Sequence, residues 1–450
     1  MKKNILNLFI FILIIGIVIL ILLNNQNNVI KTHEVIRARL YGNPIDLEGK
    51  INNKYFGIDN TGEKETSSAI NNAIRYAKQH NVENIQLENG KYKIDGGYKD
   101  SYKVGGIKLE SNMTLDLNGS TIIQKDCDEV RYSIIGINEV ENVTIKNGII
   151  IGDRENHDYT NKNSTHEWGF GIEIKSSENV TIQNVEICNT TGDGIILTSL
   201  YGSQYSITKN IDINNTRIHN CRRNGISLIS AINVNIYENE IYNIEGTAPE
   251  CAIISESWDE SQVIDEINIY RNKIYFNKIG IDIQAMAKNV NIYENETDSS
   301  INILTAYEGA KITNNIISDT QLNVIVYENK YKEGKQINKL RIENNDLINS
   351  KIYALNVEDM LIINNRIANG NISVYNSSCL IKDNQLTNKK EAMYWGVRYL
   401  IDNPLKEKYR LYIGNNKYNE GYKINESIVK NDYCEIFSNN FEQYYNLFEK

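Results

Sequence analysis

Proline is almost missing from this chain, 3 in 450 residues. That fits a body in which nearly every residue belongs to a sheet or a tight bend. Cysteine is sparse and unpatterned. The six, at 127, 188, 221, 251, 379 and 434, show no short paired spacing. This rules out a recognisable zinc pattern and a dense disulfide framework, and most of them read as small apolar residues inside the fold. Basic excess is lacking too: 48 Lys and Arg against 57 Asp and Glu give a net charge of −9. Non-specific nucleic-acid binding is thereby disfavoured, whereas a local cationic cleft can still serve an anionic polysaccharide. Long repeats rich in Ala and Leu, which a helical solenoid needs, do not occur. Nor does Leu recur at the fixed positions of a leucine-rich repeat.

What does recur is a short phrase: β-branched residue, any, Ile, any, any, Asn, any, apolar. It reads Val234-Asn235-Ile236-Tyr237-Glu238-Asn239-Glu240-Ile241, then Ile267-Asn268-Ile269-Tyr270-Arg271-Asn272-Lys273-Ile274. Shorter copies run to Ile381–Leu386, and the Asn positions 239, 272, 295, 315, 345, 365 and 384 are separated by 33, 23, 20, 30, 20 and 19 residues. A floor near 20 with occasional longer steps indicates one coil per repeat, with loops inserted in some coils. The period-2 alternation makes each coil a strand coil. Asn after the strand suits a sharp bend, since it tolerates left-handed backbone, and Asn stacked on Asn can form a ladder. A second phrase lies between copies of the first: Gly171-Ile172, Gly194-Ile195, Gly225-Ile226 and Gly280-Ile281. Two or three short strands per coil of ~20 residues give a parallel β-helix.

One long apolar run, Ile5 to Leu23, follows Met1-Lys2-Lys3. Its 19 residues would span roughly 28 Å as a helix, close to a hydrocarbon layer. The flanking Lys residues put the N-terminus inside and the body outside. No small-x-small cleavage pattern follows, so an uncleaved anchor is expected rather than a removed signal peptide. The expected organisation is a cytoplasmic end at 1–4, a transmembrane anchor at 5–23, a stem at 24–54, a β-helix with its N-terminal cap at 55–430 and a C-terminal cap at 431–450. Thr66 to Gln79 carries Ala69, Ile70, Ala73, Ile74 and Ala77 on one face. This amphipathic helix would close the open end of the first coil. Phe437 to Phe448 would cap the other end.

Phe56-Gly57-Ile58-Asp59-Asn60-Thr61-Gly62, this helix, and Leu87-Glu88-Asn89-Gly90-Lys91-Tyr92 together resemble the N-terminal entry of the pectate-lyase-like right-handed β-helix superfamily. There a Gly-containing strand, a capping helix and a Leu-Pro-x-Gly-x-Tyr-type strand precede the coils; Pro is replaced by Glu88 here. The resemblance covers about residues 55 to 430. It implies an all-β, single-stranded right-handed parallel β-helix solenoid, here preceded by one transmembrane helix. The superfamily includes lyases, hydrolases, epimerases of acidic sugars, tailspike depolymerases and binding modules, so the fold leaves the reaction open.

Chemistry-bearing residues concentrate in one place. Two of the five His and one of the three Trp lie in Asp153-Arg154-Glu155-Asn156-His157-Asp158-Tyr159 and Thr165-His166-Glu167-Trp168-Gly169, the long loop of one coil. Long loops on a rigid solenoid are where ligands bind. Aligning coils on the Gly-Ile phrase puts Phe170, Asp193 and Asn224 in one column, Gly169, Gly192 and Arg223 in the next, and Trp168, Thr191 and Arg222 in the third. At about 4.8 Å per coil, a carboxylate, two guanidinium groups and the loop fall within roughly 15 Å.

Asp193, Arg223, His166 and Glu167 are therefore the catalytic candidates. Arg222, Trp168, Tyr159, His157, Arg154, Asn224 and Glu256 are the substrate-binding candidates. Trp168 and Tyr159 offer flat faces to sugar rings, and either Arg can hold a uronate carboxylate. A uronate lyase or C5-epimerase needs a base, which His166, His157, Tyr159 or an Arg would supply. A hydrolase needs two carboxylates, which Asp193 with Glu167 or Glu256 would supply. Gly192-Asp193-Gly194 is similar to the polygalacturonase Gly-Asp-Asp phrase, and Thr165-His166-Glu167 to part of the mannuronan-epimerase Asp-Pro-His-Glu phrase; neither matches in full. No metal is required, although Asp153, Asp158 and Glu167 are the kind of oxygen ligands that Ca²⁺ takes. The expected partner is polysaccharide, with the membrane engaged through the anchor. The expected activity is a lyase or hydrolase of acidic glycan. The alternatives are uronate C5-epimerase and a non-catalytic glycan-binding or cell-surface structural solenoid. Asp193 as a turn cap, Arg222 and Arg223 as a solvated edge and the His-Glu-Trp loop as flank packing are the plainer structural readings.

Overall fold

A computed structural model of the chain describes residues 41–98, 105–200, 206–257, 261–284, 287–304, 309–326, 339–357, 359–387, 391–396, 409–418, 423–424 and 434–437. The expected anchor at 5–23 lies outside these. Among the described residues no helix is long and apolar enough to cross a membrane.

Each coil lays down a short strand, crosses to a longer one, bends sharply, and runs on to a third. One coil reads Ile195–Thr198, Thr208–Asn214 and Arg217–His219, and the next begins at Asn224–Leu228. Equivalent strands pair in parallel, Ile195 with Ile226 and Ile211 with Val234. The result is a 13-stranded sheet of first strands and a 25-stranded sheet of second and third strands. The chain is thus an all-β parallel β-helix. Its core is built from columns rather than layers: Ile172, Ile195, Ile226, Ile253, Ile281 and Ile301 stand in successive coils and all are fully buried.

The bend between second and third strands carries the asparagine ladder. From Asn239 through 272, 295, 315, 345, 365 and 384 to Asn416, each Nδ2 donates to the next Oδ1 at 2.9–3.0 Å. Each backbone N–H in the series donates to the same oxygen. The ladder satisfies buried polar groups that a bend would otherwise leave unpaired. The left-handed torsion, expected at these asparagines, falls instead on the residue before each one: Glu238, Arg271, Glu294 and Asn314 all have φ of 55–58°. The ladder position selects Asn for its donor and acceptor; the bend itself is taken by an exposed neighbour.

The Gly-Ile phrase has a different cause. A Cβ on Gly225 would sit 2.5 Å from the Ala252 carbonyl oxygen and 2.9 Å from Ile241 Cγ2. Glycine is there because adjacent coils approach too closely for a side chain.

The capping helix runs Ser67–Gln79 and buries Ile70, Ala73, Ile74 and Ala77. Two boundary features differ from expectation. The Phe56–Gly62 segment starts as the end of a one-turn helix, Asn53–Phe56, closed by Gly57 in the left-handed region, and its glycine-containing strand begins only at Thr61 with Gly62. Ile51, placed in the stem, is fully buried, so packing starts before residue 55. At the far end Cys434–Phe437 is a strand paired with Tyr409–Tyr412; the rest of the expected terminal cap lies outside the described residues.

Candidate functional site

The site is built on the outward side of the 13-stranded sheet, where the long loop 152–167 meets the starts of Trp168–Lys175, Ile195–Thr198 and Asn224–Leu228. The expected columns are present in the backbone: Gly192 N–H donates to the Gly169 carbonyl and Arg223 N–H to the Gly192 carbonyl, while Gly171 N–H donates to the Asp193 carbonyl and Gly194 N–H to the Asn224 carbonyl.

Arg223 is the centre. Its Nη1 is 3.2 Å from Asp193 Oδ2 and its Nη2 is 2.7 Å from Glu256 Oε2. One guanidinium thus joins carboxylates from the coils on either side. Asp193 is fully buried and Glu256 about a quarter exposed at its side chain (26%). Burial pushes the Asp193 carboxyl up to about 6, with Arg223 pulling the other way. Burial works against the Arg223 charge, but Asp193 and Glu256 outweigh it and hold the group above its ordinary range. The difference is physical: Arg223 has two anions, Asp193 one cation. Arg223 Nε is buried with no acceptor.

Two further carboxylates share this face and were not picked out from the sequence. Asp282, three coils beyond Asp193, is buried; burial raises its carboxyl, while Gln284 Nε2 donates to Oδ2 at 2.8 Å. Its Oδ1 has no partner. Glu173 is completely buried beneath Tyr98, with Ser133 Oγ and Lys175 Nζ each at 2.8 Å. Burial opposes its charge, but Lys175, Tyr98 and Arg131 prevail and hold the carboxyl below its usual range. Both sit in one column, Glu173–Ile196–Ser227–Ile254–Asp282. Two acidic residues in a column otherwise Ile and Ser were the signal available.

The loop residues turn mostly inward. His157 and His166 are buried. His157 Nδ1 faces Asp153 Oδ2 at 2.8 Å, His157 Nε2 faces His166 Nδ1 at 2.9 Å, and His166 Nε2 faces the Asn161 carbonyl at 3.0 Å. Every ring nitrogen is engaged, so neither imidazole is free as a base. Arg222 Nη1 donates to the Thr165 and His166 carbonyls at 2.9 and 3.3 Å, and its guanidinium covers the Tyr159 ring at 5.0 Å. Arg154 donates to the Asn220 carbonyl at 2.7 Å. These two arginines staple the loop to the coils. Asn224 spends its amide on Ser227 Oγ and the Cys251 N–H. Trp168 is half-buried, against Phe170 and below Arg131. Glu167 lies close enough to Arg223 to favour its charge. A cleft of about 330 Å³ opens among Tyr159, Lys162, Ser164, Thr165, Arg222 and Thr247. Asp153, Asp158 and Glu167 are not brought together: Asp153 faces the loop interior while Asp158 is exposed.

So the structure joins Asp193, Arg223 and Glu256, with Glu167 beside them. It gives His157, His166, Arg154, Arg222 and Asn224 partners within the fold. Trp258 and Asp259, which follow Glu256 and Ser257, lie outside the described residues.

No protein-family model matches the chain. It is 34% identical over 181 residues to the SPbeta prophage-derived uncharacterized protein YorA of Bacillus subtilis, covering 37% of this chain and 31% of that one. It is 31% identical over 226 residues to the uncharacterized protein YclG of the same organism, covering 47% of this chain and 39% of that one. The chain therefore spans less than two fifths of the length of either relative. Among solved structures it is similar to the tailspike protein of E. coli bacteriophage HK620, solved in complex with a pentasaccharide, at 12% identity over 88% of this chain and 74% of that one, with a TM-score of 0.55. That likeness bears on architecture, and the two chains share the coiled parallel-strand fold.

Proposed function

We propose that this protein is an extracytoplasmic enzyme acting on acidic polysaccharide, with its chemistry at Asp193, Arg223 and Glu256. The observation that carries the reading is the bridging of two carboxylates by one guanidinium whose Nε is left unfilled. An acidic sugar would compete with the more exposed Glu256 for Nη2. The pentasaccharide bound by the HK620 tailspike supports an oligosaccharide as the ligand class.

Hydrolysis is favoured over elimination or epimerisation. The latter two need a base for a carbon-bound proton. Both histidines are engaged at both nitrogens, the Tyr159 hydroxyl donates to the Arg154 carbonyl and is raised by burial, and Arg223 is held charged by its two partners. Carboxylates remain, and a pair of unlike environment is what glycoside hydrolysis requires. Asp193, pushed up to about 6, suits the proton donor, and Glu256 suits its partner. We further propose that residues 5–23 hold the body at the outer face of a membrane, on the length and flanking charge of that run.

A non-catalytic glycan-binding role is the second reading. The complete burial of Asp193 favours it, because a buried pair can serve purely to hold coils together. Incubating the full chain with a panel of uronate-containing and neutral glycans separates the two. New reducing ends made by the native chain and not by Asp193→Asn support hydrolysis. An ultraviolet-absorbing unsaturated product means elimination instead. Retention of glycan without cleavage means binding, and neither cleavage nor retention rejects the proposal.

A further inference from the structure

Cys127, Asp153 and His157 form a cluster that the proposed chemistry leaves unused. Cys127 Sγ and the Cys127 N–H both point at Asp153 Oδ2, at 3.3 and 3.2 Å, and His157 Nδ1 approaches the same oxygen at 2.8 Å. One donor atom from each residue lies within 4.8 Å of the others. The Asp153 and His157 side chains have no solvent exposure.

Two features of this arrangement are unresolved by the protein alone. Three groups crowd Oδ2, while Asp153 Oδ1 is buried and makes no close hydrogen bond, although the buried Tyr132 hydroxyl also acts on this carboxylate. A bare carboxylate oxygen in the interior is costly and calls for an explanation. The second feature is a proton count. Asp153, His157, His166 and the Asn161 carbonyl form three consecutive links. The carbonyl only accepts, so His166 Nε2 must carry hydrogen. Each link requires one proton, and two neutral imidazoles bring two. Without a cation, the third would have to sit between Asp153 and His157 as an ion pair with no solvent exposure.

A cation on His157 Nδ1 removes the second difficulty. His157 Nε2–H then donates to His166 Nδ1, and His166 Nε2–H donates to the Asn161 carbonyl, with both rings neutral. This is the outer-shell arrangement that fixes the tautomer and orientation of a metal-ligating histidine. Asp153 Oδ2, which Cys127 Sγ and His157 Nδ1 both face, becomes the carboxylate ligand. We propose that Cys127 Sγ, the Asp153 carboxylate and His157 Nδ1 bind a divalent transition-metal ion with the mixed S, N, O preference of Zn²⁺. Three protein ligands leave a fourth tetrahedral position for water or another oxygen. Without metal, burial and then the Asp153 charge push the Cys127 thiol up to about 12. Binding would release that proton to solvent and leave a thiolate on the ion. Cys127 precedes the strand Arg131–Asn138, so the ion would pin the long loop to the preceding coil. The proposal is independent of the polysaccharide reading.

The test uses the full chain, freed of metal by a chelator and titrated with Co²⁺ and, separately, Zn²⁺. The expected result is one Co²⁺ per chain with tetrahedral d–d absorbance and a thiolate-to-cobalt charge-transfer band. Zn²⁺ should displace the cobalt and raise the thermal midpoint of the native chain. Cys127→Ser, shown folded by circular dichroism, should lose the charge-transfer band. His157→Ala should weaken binding at least tenfold. A charge-transfer band unchanged in Cys127→Ser overturns the assignment. So does a native chain with no such band and no thermal shift at saturating Zn²⁺, which requires no variant to fold.

Discussion

Arg223 Nη1 lies 3.2 Å from Asp193 Oδ2, although the residues are 30 positions apart and belong to different coils. The contact exists only because successive coils stack in register. Breaking it leaves one buried ion unpaired, and removing one partner of a buried pair typically costs about 3–5 kcal/mol. Arg223→Met is therefore expected to lower the urea midpoint sharply, and Asp193→Asn combined with Arg223→Met to recover much of the loss. A double mutant as unstable as Arg223→Met alone would contradict this.

The Asp193 carboxyl also sets a pH signature. Its folded-state value of about 6 lies above the ordinary 3.8, so the folded chain binds this proton more tightly than the unfolded chain. The contribution is present below about pH 4, declines as pH rises through 6, and amounts to roughly 3 kcal/mol by linkage. The stability of native protein relative to Asp193→Asn should fall between pH 4 and 6 and level off above 7. If Asp193 is the proton donor, glycan cleavage should decline over the same upper limb.

Arg222 predicts a local effect. Its bonds to the Thr165 and His166 carbonyls hold the loop that exposes Lys162. Arg222→Ala should speed tryptic cleavage after Lys162 several-fold while shifting the global thermal midpoint little. Equal cleavage rates would show that the loop is held by something else.

The ladder predicts a contrast between two asparagines. Asn315→Ala removes the acceptor for the Asn295 N–H and Nδ2, and the donor to the Ile292 carbonyl, all buried. Unsatisfied groups of this kind cost about 1–3 kcal/mol each. Asn179→Ala, on the exposed ladder with Asn142 and Asn210, should cost under about 1 kcal/mol. Hydrogen exchange of the coils around 295–345 should accelerate in the first variant alone.

The coils, their register and the capping helix were legible in the sequence because each rests on a local, repeated pattern: Val-x-Ile alternation, Asn at fixed offset, an apolar stripe from Ile70 to Ala77. The column holding Asp193 and Asn224 followed from the same repeat. Side-chain direction within an irregular loop does not repeat, so His157 and His166 could be found but not oriented. Glu173 and Asp282 were overlooked because they occupy strand phrases that read as scaffold. The left-handed residues escaped for a related reason. Glu238 and Arg271 carry the bend, and nothing in their side chains announces it.

The asparagine rail fixes one corner of each coil from Asn239 to Asn416 at constant length, since each amide must meet the next. The two other corners carry shorter and more exposed ladders, such as Asn142–Asn179–Asn210 and Asp319–Asn349–Asn369, and the long steps in the repeat are accommodated there. Surface loops on this rod can be enlarged, trimmed or exchanged turn by turn while its pitch stays put, so a new specificity can be fashioned on an unchanged scaffold.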